Sequence, residues 1–103
     1  LSLLFFQLIV SQMSAEESKN ALWIDVRTAE EYAEGHLEGA VNIPHDEIGE
    51  RIAEVTSDKG ATIHLYCRSG GRAGRAKSTL EKIGFTKVTN EGGFDDVQKK
   101  AKK

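Results

Sequence analysis

A chain of 103 residues has the length of one domain with a modest core. Its 39% apolar and 29% charged residues exclude a disordered polyelectrolyte, and a net charge of −2 offers no broad basic field for nucleic acid. One cysteine excludes an internal disulfide and a Cys-rich zinc site, and leaves a single thiol whose neighbours must decide between burial and reactivity.

Residues 1–13, LSLLFFQLIVSQM, carry no charge, whereas the chain from Ser14 onward is richly charged. The apolar run, about ten residues, is too short for a bilayer span of about 20, but suits the core of a secretory signal. Residues 1–15 are therefore expected to be a signal-peptide remnant, the alternative being an extension docked on the domain. A single domain is expected over residues 20–103. No stable membrane span is expected. A periplasmic location follows from the signal reading, a cytoplasmic one from its alternative.

Leu22–Val26, LWIDV, reads as a buried strand. Thr28 and Glu31 have the spacing of a capping box, so a short helix is expected to end near Gly35. Ala40–Ile43 reads as a brief strand closed by Pro44. Asp46 is a candidate cap for a helix whose inner face is Ile48, Ile52 and Val55. After a turn at Ser57–Gly60, Thr62–Cys67 is the strongest strand pattern of the chain. Ala73, Ala76, Leu80 and Ile83 mark one helix face, with Gly84 as its C-terminal cap. Thr86–Thr89 reads as a last short strand and Phe94–Lys103 as a helix ending in lysines. Trp23 and Phe85 are candidate core residues. Strands alternating with helices predict an α/β domain with a mainly parallel sheet, whose ligands sit at the carboxyl ends of the strands.

Cys67 stands at such an end, in the run Cys67-Arg-Ser-Gly-Gly-Arg72-Ala-Gly-Arg75. A thiolate is the nucleophilic form of cysteine, and unpaired N–H groups at a helix N-terminus favour it. Gly70 and Gly71 let the backbone curl so that several N–H groups converge on one point. Arg68, Arg72, Arg75 and Lys77 add positive charge, with no acid between Asp58 and Glu81. Cations there oppose the helix dipole, an arrangement that makes sense if an anion belongs at this junction. The bland alternative is a buried cysteine followed by an ordinary turn and a solvated basic helix.

This loop resembles the active-site loop of small rhodaneses. Trp23–Arg27 (WIDVR) resembles that family's first-strand signature. Glu31-Tyr32 with Gly35–Pro44 (GHLEGAVNIP) resembles the segment leading through the second strand. Val88–Phe94 (VTNEGGF) resembles the last strand and its Gly-Gly turn. The resemblance spans residues 22–94 and is nearest to the short, exported, phage-shock type, which also has an apolar leader. It implies a three-layer α/β fold, an open and mainly parallel sheet with helices on both faces. It also implies sulfur transfer through a persulfide on Cys67, with thiosulfate as donor and cyanide or a thiol as acceptor. A thiol-redox protein is a further acceptor it allows. Loop N–H groups from Arg68 through Ser69, Gly70 and Gly71 to Arg72 would hold the persulfide. Arg68 and Arg72 would attract the donor and the sulfite leaving group. Asp25 and Arg27 would brace the fold, and the Ser69 hydroxyl would support the loop. No cofactor or metal is implied; His45 and His64 lack ligand spacing with Cys67, and His36 reads as a packing residue. Two alternatives stay open. Phosphatases and arsenate reductases of the cell-cycle type share the architecture, but their loop is one residue longer, whereas here four residues separate Cys67 from Arg72. A non-catalytic sulfur-binding module is the other; retention of Cys67 argues against it.

Overall fold

The structure, a computed structural model, describes residues 21–101. The expectation for residues 1–15 falls outside them. In chain order the elements are β1 (Leu22–Asp25), α1 (Ala29–Glu34), β2 (Val41–Asn42), α2 (Ile48–Arg51), β3 (Thr62–Cys67), α3 (Gly71–Ile83), β4 (Lys87–Gly93) and α4 (Phe94–Ala101). The sheet has four strands in the order β2-β1-β3-β4, and every pairing is parallel. Each parallel step needs a crossover, and the helical segments between strands supply it.

Both faces of the sheet are covered, so its alternation separates two apolar sets. Ile24 and Val26 of the first strand region, with Ile63, Leu65 and Cys67 of β3, join the main core. Ile48 and Ile52, and Ala73, Ala76 and Leu80 of α3, close that face. On the other face Tyr66, Ala40 and Val97 of α4 form a smaller cluster against Trp23, Leu37 and Phe94. The α/β architecture expected from the sequence is thus the one observed.

Local details differ in three places. The segment after Pro44 is a single α turn between 3₁₀ turns at His45–Glu47 and Ile52–Glu54, and Asp46 does not cap it. Its apolar spacing is still used, since Ile48 and Ile52 are buried and Val55 packs against the core. Ile83, at the end of the α3 stripe, is 39% exposed, because the buried stripe ends with Leu80. Strand β4 runs on to Gly93 rather than stopping at Thr89, since a register shift between Leu65 and Cys67 lets pairing continue to the sheet's upper edge. The Thr28–Glu31 capping box and the Gly84 cap are present as the sequence suggested. Phe85 is buried, whereas Trp23 is half-buried and stacks on His64.

Candidate active site

The end of β3 delivers Cys67 into the crook of a loop that turns directly into α3. The turn depends on Gly70, whose φ of 101° is a left-handed conformation that a side chain would strain. In that conformation the Gly70 N–H donates to Cys67 Sγ at 2.9 Å. The Gly70 carbonyl then accepts from Gly74 N, also at 2.9 Å, and so starts α3. Gly71, expected to help the curl, is not needed for it: it lies inside the helix, and an added Cβ would meet nothing within 4 Å. The Ala73 N–H, one residue beyond the Arg68–Arg72 run expected to hold the sulfur, lies 3.4 Å from Sγ.

Two effects compete over the thiol. Burial pushes its pKa up, while the backbone N–H groups of Ala73, Ser69, Gly70 and Arg72 pull it down. The N–H groups win, and Cys67 ionises below the ordinary cysteine value. Ser69 itself is exposed, and its contribution here comes through its backbone N–H.

Strand β4 supplies the floor. Gly93 pairs with Cys67, and a Cβ on Gly93 would collide with the Arg68 carbonyl. Only glycine lets the strand backbone pass this close beneath the loop. Asn90 Nδ2 donates to the Gly70 carbonyl at 2.9 Å, and Asn90 Oδ1 accepts from Gly92 N. In the sequence the Gly92-Gly93 pair is the local signal of this approach, and nothing local marks Asn90.

The rim is arginine-rich but not free. Arg72 donates from Nη1 and Nη2 to the two carboxylate oxygens of Glu31, at 2.8 and 3.0 Å. Arg68 Nη1 lies 3.6 Å from the same carboxylate, with 79% of its side chain exposed. The carboxylate also accepts from the Thr28 N–H at 3.0 Å. The Arg72 hydrogen bonds, against a burial penalty and helped by Thr28, hold the Glu31 carboxyl down at about 2. The sequence showed Glu31 only as a capping residue; its reach to Arg72 across 41 positions was invisible there.

Asp25 and Arg27 form a buried pair beside the rim, where Arg27 lines a cleft with Glu31 and Arg68. Asp25 is fully buried and accepts from Arg27 Nε at 2.9 and 3.0 Å, and from the Arg27 backbone N–H. Arg27 Nη2 donates to Asp25 and to the Gly35 carbonyl, and the guanidinium lies 4.5 Å over the Phe94 ring. The pair thus ties β1 to the end of α1 and to α4. Tyr66 adds to this packing: its hydroxyl accepts from Leu37 N, and burial first of all pushes its pKa up to about 12. Away from the loop, His36 stacks on Tyr32 and donates from Nδ1 to the Tyr32 carbonyl. His64 pairs with Glu91.

The sequence matches the family described as "Rhodanese-like domain" over residues 10–100. It is 47% identical over 75 residues to the thiosulfate sulfurtransferase PspE of Escherichia coli, covering 73% of this chain and 72% of that protein. The uncharacterized protein YqhL of Bacillus subtilis is 39% identical over 98 residues, covering 90% of this chain and 76% of its own length. A solved E. coli structure described as a rhodanese with anions superposes with a TM-score of 0.71 at 46% identity, covering 74% of this chain and 89% of that one. Among the described residues, no helix is long and apolar enough to cross a membrane. A parallel sheet delivering a cysteine into a loop of converging N–H groups, and a family match over nearly the whole length, lead to one conclusion: the chain belongs to the rhodanese-like domain family.

Proposed function

We propose that this chain is a thiosulfate sulfurtransferase working through a persulfide on Cys67. The Cys67 thiolate attacks the outer sulfur of thiosulfate; the S–S bond of the donor breaks, and sulfite leaves with its electron pair. A thiolate acceptor or cyanide then attacks the outer sulfur of the persulfide and regenerates the Cys67 thiolate. No general base is needed in the first step if the nucleophile is already ionised. The observation that carries the reading is the Gly70 N–H aimed at Sγ at 2.9 Å, backed by the Ala73 N–H at 3.4 Å. These donors can hold a negative sulfur without a metal or a second acid.

The short loop and the engagement of Arg72 by Glu31 count against oxyanion chemistry, which would use that guanidinium as a clamp on three oxygens. The uncharged residues 1–13 support a periplasmic site of action; recovery of the full-length protein only in the cytoplasmic fraction of its cells would refute that placement. The central test is intact-protein mass spectrometry after thiosulfate treatment. One added sulfur, about 32 Da, is expected on Cys67, removable by cyanide or a reducing thiol. Cys67→Ser should fold and take up none. Turnover by that variant sinks the assignment.

A further inference from the structure

We propose that Glu31 sets the charge class of sulfur donor the site accepts, by keeping the rim guanidinium of Arg72 occupied and partly neutralising Arg68. This rests on the sulfurtransferase reading and adds a specificity-determining residue to it. The carboxylate is built into place. Thr28 holds it through its N–H at 3.0 Å, and through its hydroxyl at 3.1 Å, while both oxygens receive Arg72. Only 18% of the Glu31 side chain is exposed, so the pair is less screened than a surface ion pair.

Without Glu31, Arg68 and Arg72 would present two unneutralised guanidinium groups at the mouth. With it, the three side chains sum to a single positive charge, and the Arg72 guanidinium already has both Glu31 oxygens as partners. Binding then falls chiefly to the loop N–H groups, which meet a single sulfur and do not count the charge on the rest of the donor. Arg72 stands in the first turn of α3, next to Ala73, whose N–H lies 3.4 Å from Sγ, so its occupation by Glu31 changes the field at the reacting sulfur. The site as built therefore discriminates weakly between dianionic thiosulfate and a singly charged sulfane donor such as an aryl thiosulfonate. Either donor gives its outer sulfur to Cys67, and sulfite or aryl sulfinate leaves with the bonding pair.

The test compares kcat/KM for thiosulfate and for benzenethiosulfonate in the unmodified protein, Glu31→Gln and Glu34→Gln. Glutamine keeps an acceptor for the helix cap but removes the charge. In Glu31→Gln the thiosulfate-to-thiosulfonate ratio should rise by about 3- to 10-fold, the effect of one unit charge several ångströms away in a high-dielectric mouth. The gain should lie in KM, and should shrink at about 0.5 M salt, where the Debye length is only a few ångströms. Glu34 lines the same cleft of about 100 Å³ with Glu31 and Arg68 but has no ion pair to either arginine, so its substitution should shift the ratio far less. An unchanged ratio in Glu31→Gln, equal losses for both donors, or the same shift in Glu34→Gln would each overturn the proposal. Should the glutamine variant not fold, Glu31→Asp keeps the cap's charge but is one methylene too short for the two-pronged contact. It should move the ratio the same way by less; no movement overturns the proposal. If the unmodified protein takes sulfur from neither donor, the sulfurtransferase reading itself has failed, a result seen before any variant is made.

Discussion

A methyl group placed on Gly93 has no room. Its carbon would overlap the Arg68 carbonyl oxygen, lie 3.1 Å from the Arg68 carbonyl carbon and come within 3.4 Å of Ser69 Cα. All three are backbone atoms, so no side chain can rotate away; either β4 drops or the loop rises. Overpacking of this kind costs about 1–3 kcal/mol. In a domain of this size each kcal/mol lowers Tm by roughly 4–8 °C, so Gly93→Ala should lose roughly 5–20 °C. The obstructed atoms belong to the residues directly after Cys67, so the same movement disturbs the N–H groups aimed at Sγ. A displacement of about 1 Å at a reacting centre costs on the order of 10²-fold in rate, and sulfur transfer should fall by about that much. Differential scanning calorimetry and a thiosulfate:cyanide assay on one preparation measure both. Gly60→Ala, in an exposed turn where the nearest foreign atom is the Asp58 carboxylate at 3.4 Å, is the control and should leave both unchanged. A Gly93→Ala protein that melts and turns over like its parent would refute the close-approach argument.

Three further outcomes follow from the same geometry. The rate of Cys67 alkylation against pH should show an inflection below the ordinary thiol value of about 8.5; an inflection at or above it would mean the N–H groups do not outweigh burial. Arg27→Met should destabilise by about 3–5 kcal/mol in urea unfolding, because it leaves the fully buried Asp25 carboxylate without its guanidinium; a loss under about 1 kcal/mol would show that Asp25 is satisfied without Arg27. Glu31 has its carboxyl lowered from 4.5 to about 2 by Arg72 and Thr28, so its stabilising contribution is fully present above pH 4.5 and is lost as pH falls from there through about 2; in Glu31→Gln this part of the acid-unfolding slope should disappear, and an identical slope in both proteins would remove Glu31 as its source.

Much of this architecture was legible from local pattern. The β-prone apolar runs LWIDV and TIHLYC, the Thr28–Glu31 cap and the Ala73–Ala76–Leu80 stripe each depend on neighbours within a few residues, and each appears in the structure. The position of Cys67 at a strand end, ahead of a glycine-containing turn and a helix, was legible for the same reason. Weak local signals fared worse. Asp46 looked like a cap because its residue type favours caps, but Pro44 and the 3₁₀ turn at His45 already set the backbone there.

Contacts between distant segments were decided only by the tertiary structure. Glu31 and Arg72 lie 41 positions apart, and their pairing depends on α1 and the start of α3 meeting at the top of one sheet. Gly93 lies under Arg68 because the register between β3 and β4 slips between Leu65 and Cys67, an irregularity that hydrophobic alternation does not encode. Sequence by itself determined the order of strands and helices and the place of Cys67 at a strand end, because periodicity, capping and turn chemistry act over short range. The folded chain decided which charges the arginines meet and which glycine has to remain glycine. Those outcomes depend on the distance between elements that only packing brings together.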